Sequence, residues 1–175
     1  MIESWIAGHI PGNRDLTRPE LRELAGAIVA ERALWNDHVQ IDEAERHFVH
    51  LHRDPNLDVW IICWSAGQGT GYHDHEHSKG AVYVCDGAVV EDFYHRGEDG
   101  CIRERTNRYA AGEQFDFDAF YIHGVRYAEG QPAVTVHCYS PPLWRMGHYE
   151  TNENGILHRT STTYEDESPD HNLSP

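Results

Sequence analysis

No stretch of the 175 residues approaches the roughly 18 consecutive apolar residues of a membrane-spanning helix, and the mean hydropathy is −0.66. A membrane partner is therefore not expected. Basic charge is also scarce. Lys and Arg total 14 against 29 Asp and Glu, a formal net charge of −15. A polyanion such as DNA or RNA would be repelled on average, which argues against a nucleic-acid partner. Cysteine is sparse and unpaired in spacing: Cys63, Cys85, Cys101 and Cys138 form no CxxC pattern, and three of them sit in apolar extended runs. They read as buried free thiols, not as a zinc site or a disulfide frame. The opening segment lacks the basic start and apolar core of a secretory leader, so a cytoplasmic location is expected. Oligomeric state is left open.

What the chain does have is histidine, 14 in all. His9, His38, His52, His148, His158 and His171 read as surface groups. His73 and His75 stand apart. They are one residue apart in a segment with Gly67, Gly69 and Gly71 before them and Gly80 and Gly87 after. Alternate residues of a strand project to one face, so both imidazoles can reach one metal ion.

Around this segment the chain divides into a helical and an extended half. Residues 1–16 read as an irregular arm. Thr17, Pro19 and Glu20 form a helix start with a capping box, and apolar residues at helical spacing predict a helix over about 18–36. A second short helix is predicted over about 41–47, starting at Asp42. After Pro55 the pattern turns extended. Strands are predicted at Val59–Trp64, Ala81–Cys85, Ala88–Tyr94, Ile102–Tyr109, Gln114–Phe117, Tyr121–Tyr127 and Ala133–Ser140. Asp86-Gly87 reads as a hairpin turn and Gly97–Gly100 as another turn. Short strands between Gly/Asp turns argue for an all-β sandwich or barrel with the helices packed outside. One domain is expected over 1–150, followed by an acidic, mobile tail over 151–175 with a possible strand near Ile156-Leu157.

Two further segments carry chemistry. His123 is a lone histidine in an apolar extended run and is the candidate third ligand. Thr135, His137 and Tyr139 alternate, so they share one strand face, with Val136 and Cys138 on the other. A hydroxyl, an imidazole and a phenol in line can form a hydrogen-bond relay.

The glycine, His-x-His and glycine register of Gly67, His73, His75 and Gly87 resembles the first motif of the cupin superfamily, with Gly80 where that motif usually carries a glutamate. Cys63-Trp64, Gly67-Gln68-Gly69, His73-Asp74-His75, His123 and the run Val136 to Pro142 together resemble the cysteine dioxygenase family of thiol dioxygenases. The similarity spans roughly residues 45–145. It implies a cupin β-barrel, jelly-roll-like, in which His73, His75 and His123 bind non-haem Fe(II). It also implies that Thr135, His137 and Tyr139 match the family's serine–histidine–tyrosine relay. The expected partners are a small thiol and O2, with L-cysteine the leading substrate and 3-mercaptopropionate behind it. Three neutral imidazoles leave the charge of a ferrous ion uncompensated, which favours an incoming thiolate.

Two departures accompany the resemblance. The cysteine that mammalian members cross-link to the relay tyrosine is replaced by Gly80, so no such link is expected. The family's carboxylate-clamping arginine aligns with Val49 or His50. Arg46, His50 and Arg53 are therefore the candidate substrate-binding residues, with His47, Arg126 and Arg145 held in reserve. A metallocupin enzyme acting on a non-thiol substrate and a non-catalytic metal-binding cupin are the competing readings.

Overall fold

The structure is a computed structural model, and it describes residues 2–96, 98–99, 102–153 and 156–164. Gly97, Gly100, Cys101 and residues 165–175, with His171 among them, lie outside the described residues. So do the expectations placed on them: the ends of a turn, a free thiol and most of an acidic tail.

Eleven strands form two antiparallel sheets among the described residues. The first sheet runs β1 (Phe48–Arg53), β2 (Asp58–Trp64), β9 (Ala133–Ser140), β4 (Lys79–Asp86), β7 (Gln114–Phe117) in spatial order. The second runs β11 (Leu157–Tyr164), β10 (Arg145–Thr151), β3 (Tyr72–Asp74), β8 (His123–Tyr127), β5 (Ala88–Arg96), β6 (Ile102–Ala110). This is the all-β cupin barrel expected from the sequence, with helices on the outside. No described helix is long and apolar enough to cross a membrane.

The strand alternation of the first sheet explains why it is buried on both sides. Val59, Ile61 and Cys63 of β2, with Val136 and Cys138 of β9, pack against Leu21, Leu24 and Ile28 of the outer helix α2 (Arg18–Ala30). Their neighbours in sequence, Trp64 on β2 and Tyr139 on β9, join Val82, Val84, Phe115, Phe117 and Val125 in the barrel interior. All eight residues of β9 are buried for this reason. Cys63 and Cys138 are buried free thiols and Cys85 is half-buried.

The capping box expected at the start of α2 is present. Thr17 N–H donates to Glu20 Oε2 at 2.8 Å, and Glu20 N–H donates to Thr17 Oγ1 at 3.5 Å. The helix ends earlier than its periodicity predicts, at Ala30, and is followed by 3-10 turns at Arg32–Leu34 and Asn36–His38. Leu34 and Trp35 are both buried in these turns, at 9% and 2% exposure. The arm also contains a short helix, α1 (Ile2–Ala7), because Ile6 is buried under α2 and the first sheet.

Other expectations are corrected. No helix forms over 41–47. Asp42 instead caps a bend by accepting from the N–H groups of Ala44 (2.8 Å) and Glu45 (3.2 Å), while Ile41 stays exposed. The chain has no second apolar face there to bury. It straightens into β1, a strand hidden from a pattern reading by its histidines and arginine. Asp86-Gly87 is not a hairpin turn. β4 and β5 belong to different sheets, and Gly87, at φ +67°, carries the chain across the corner between them. A side chain at Gly87 would lie 2.5 Å from Pro132 O. The possible strand near Ile156-Leu157 is present as β11 (Leu157–Tyr164), which pairs with β10 along its length.

Candidate metal centre

The second sheet brings the two histidine segments together. β3 pairs with β8 so that His73 stands opposite His123. His75 follows where β3 ends, turning inward beside them. The three rings have centroid separations of 4.8, 4.9 and 5.2 Å, and their ligand atoms lie within 4.8 Å of one another. Exposure is 3% for His73 and 1% for His75 and His123. Asp74, between the two, points away and anchors β10, accepting from Tyr149 OH at 2.5 Å and Gly147 N–H at 3.3 Å.

Burial holds all three imidazoles below their ordinary range, His123 at about 3, so they are neutral and available as donors. Nδ1 of His73 meets Gly71 O at 3.1 Å and Nδ1 of His123 meets Glu91 Oε1 at 2.8 Å. Each pairing leaves Nε2 free to face an ion. The buried Nδ1 of His75 has no hydrogen-bond partner among the described residues. An all-imidazole set suits a divalent transition metal.

The carboxylate of an ordinary cupin site cannot be accommodated. Gly80 pairs across the strands with both Tyr139 and Phe117. The Phe117 ring fills the space above it and stacks on His75 at 4.5 Å.

The relay residues lie in line on the interior face of β9. Thr135 Oγ1 is 2.9 Å from His137 Nε2, and His137 Nδ1 is 3.0 Å from Tyr139 OH. The Tyr139 ring centroid is 5.3 Å from that of His75. Trp64 extends the line, its indole N–H donating to Thr135 Oγ1 at 2.8 Å. Burial lowers His137 to about 3 and pushes the Tyr139 phenol up, so the ring is neutral and the phenol protonated.

The three candidate substrate-binding residues part company. Arg46 lines a cavity of about 90 Å³ together with His73, His123, His137 and Tyr139. Its guanidinium lies 5.0 Å over the Trp64 ring and donates to Gly69 O at 2.6 Å. Burial lowers it to about 10, which leaves it charged at neutral pH. His50 and Arg53 do not line this cavity. Both are engaged with the fully buried Asp58, His50 while stacked on Trp60 at 4.2 Å and Arg53 at 2.8 Å. Arg53 also donates to Leu143 O at 3.0 Å, so the group braces the cavity rim. Of the reserves, Arg145 reaches the rim but is paired with Glu76 at 2.5 Å, and Arg126 is paired with Asp92 at 2.7 Å.

Sequence reading missed Glu91, Phe117 and the role of Trp64. Glu91 carried a signal: it is the charged member of the alternating set Val89, Glu91, Phe93, whose other two members are apolar.

The chain is 28% identical over 108 residues to "Cysteine dioxygenase type 1" of Danio rerio, covering 54% of this chain and 54% of the relative. It is 27% identical over 132 residues to the Rattus norvegicus protein of the same name, covering 71% and 65%. The chain thus spans between about half and just under two thirds of the length of these curated relatives. Among solved structures, KdgF from Halomonas sp. overlays with a TM-score of 0.49 at 20% identity, covering 62% of this chain and 92% of that one. The family model for cysteine dioxygenase type I matches residues 14–152. The chain belongs to the cysteine dioxygenase type I family.

Proposed function

We propose that this protein is a non-haem Fe(II) thiol dioxygenase that converts the thiol of a small thiol carboxylate, L-cysteine foremost, to the sulfinic acid. The carrying observation is a buried face of three neutral histidines without a carboxylate, opening on a cavity that is also lined by the half-buried Arg46 and a relay-bound phenol. Membership of the cysteine dioxygenase type I family supports the same reading. The reaction adds both atoms of O2 to sulfur, RSH + O2 → RSO2H, and needs no further reductant.

His73, His75 and His123 would hold the metal. Ferrous iron bound there supplies a cation that favours thiolate over thiol and a centre at which dioxygen can react. Arg46 binds the substrate carboxylate, a task suited to a planar guanidinium, and thereby orients the sulfur toward the histidines. The Trp64 indole can only donate, so Thr135 accepts from it. We assign the Thr135 proton to His137 Nε2, the nearer acceptor at 2.9 Å compared with Ile62 O at 3.3 Å. His137 Nδ1–H then donates to the Tyr139 oxygen, and the Tyr139 O–H is left to point into the cavity toward substrate or dioxygen. Phe48, Trp60, Ile62, Val125 and Leu143 make the rest of the wall apolar and limit water around the sulfur.

One observation favours the amine-free acid 3-mercaptopropionate as a second substrate reading. No Asp or Glu among the described lining residues is placed to pair an ammonium. A panel of L-cysteine, 3-mercaptopropionate and other small thiols, followed by oxygen uptake and by product mass, tests both readings. A gain of two oxygen atoms is expected for at least one thiol. No oxygen uptake with any thiol by iron-loaded protein would falsify the proposal, and turnover of a non-thiol acid would point to a different metallocupin enzyme.

A further inference from the structure

The histidine cage carries no carboxylate, and the place on β4 where one would stand is closed by Phe117. We infer that Glu91 is the positioning residue of this centre: it accepts a hydrogen bond from His123 Nδ1–H, turns Nε2 toward the ion, and balances the buried cation through the ring. The inference rests on the three-histidine metal reading given above.

Glu91 is 2% exposed and its Oε1 lies 2.8 Å from His123 Nδ1. The two strands place it there. β5 pairs with β8 so that Phe93 faces His123 and Glu91 faces Val125, one step along the same inward row. The hydroxyls of Tyr109 and Tyr121 favour the charged form of this carboxylate, against the burial that opposes it. A buried carboxylate is costly to maintain. The donor facing it is the ring of a candidate ligand, His123, at 2.8 Å, which gives the pair a defined orientation. The other two rings lack this support among the described residues: Nδ1 of His73 meets a neutral carbonyl and Nδ1 of His75 meets nothing. The carboxyl group absent from the cage thus stands just outside it, behind a single histidine. A carboxylate behind a ligating imidazole fixes its tautomer and raises its basicity.

The test uses the full chain loaded with Fe(II), with affinity read by competition against a chromophoric chelator. Glu91→Gln keeps the shape and one acceptor oxygen but removes the charge. The dissociation constant for Fe(II) is expected to rise about 10- to 100-fold, the range typical of such outer carboxylates. The visible spectrum of the Co(II)-loaded variant should shift, which a purely structural role would not require. An affinity within about twofold of wild type and an unchanged Co(II) spectrum would overturn the assignment. A wild-type chain that binds no Fe(II) would instead remove the metal reading and this inference with it. Should Glu91→Gln fail to fold, the tautomer decides. Long-range nitrogen–proton NMR of the wild-type chain without metal should show His123 protonated on Nδ1, and protonation on Nε2 would overturn the inference.

Discussion

A Cβ on Gly80 would lie 2.2 Å from Cζ of Phe117, far inside van der Waals contact. The Phe117 ring in turn stacks on His75 at 4.5 Å and tilts against His123 at 4.6 Å. The absence of a side chain at residue 80 and the packing of the histidine cage are therefore one feature. Gly80→Ala is expected to destabilise the fold by about 1–3 kcal/mol through overpacking and to weaken Fe(II) binding by displacing Phe117. Chemical denaturation with and without Fe(II) measures both. Wild-type stability in Gly80→Ala would mean that the ring yields freely.

Tyr139 and His137 separate binding from turnover. Tyr139→Phe removes the hydroxyl at the end of the relay and leaves the histidines in place. Fe(II) affinity should stay near wild type while kcat falls by about 10²-fold, the lower end of what a positioned proton donor contributes. Single-turnover kinetics alongside an iron titration checks this. Unchanged kcat would take Tyr139 out of the chemistry.

His73→Ala should abolish Fe(II) binding. One of the three candidate donors found among the described residues is lost, and the other two cannot hold the ion in a closed face. Iron content after anaerobic loading and desalting is the measurement, and a full complement of iron would reject the ligand set.

Arg46 and Arg53 make opposite predictions. Arg46→Ala should raise KM for a thiol carboxylate by roughly 10- to 100-fold, about the 1.5–3 kcal/mol of a charged hydrogen bond. Its effect on a thiol lacking a carboxylate should be far smaller. Arg53→Ala should leave KM nearly unchanged and lower stability, because its partner is the buried Asp58. A KM effect confined to Arg53→Ala would reverse the assignment.

The same Asp58 gives a pH dependence. Burial alone would raise its carboxyl, but the hydrogen bond and charge of His50 and the charge of Arg53 hold it below the ordinary value. A group whose folded pKa is depressed contributes stability above its unfolded value, about 3.9 for aspartate, and loses it as pH falls through the folded value. Melting temperature should therefore drop below about pH 4, and Asp58→Asn should flatten that acid limb while lowering stability at neutral pH. An acid limb identical in Asp58→Asn would show that other carboxylates account for it.

Much of this protein was legible in the residue order alone because the relevant signals are local. A two-residue period puts His73 with His75 and Thr135 with His137 and Tyr139 on common faces whatever the rest of the chain does. The capping box at Thr17 and Glu20 likewise needs only its own four residues. Where packing rather than periodicity chose the conformation, the sequence could not say. The helix stops at Ala30, and 3-10 turns carry Leu34 and Trp35 into the core. Residues 41–47 have no apolar face to bury, and β1 and β10 are strands whose polar residues mask the alternation, β10 being held in part by the distant β3. The corner at Gly87 is a property of two sheets meeting, so the same dipeptide that turns a hairpin elsewhere crosses between sheets here. At the site, the sequence determined which donors exist and what they can bind. Only the tertiary structure decided that Arg46, and not His50 or Arg53, reaches the cavity, and that Glu91 stands behind His123. Those outcomes depend on strand register and on which buried charge claims which partner, and both are settled by contacts between segments far apart in sequence.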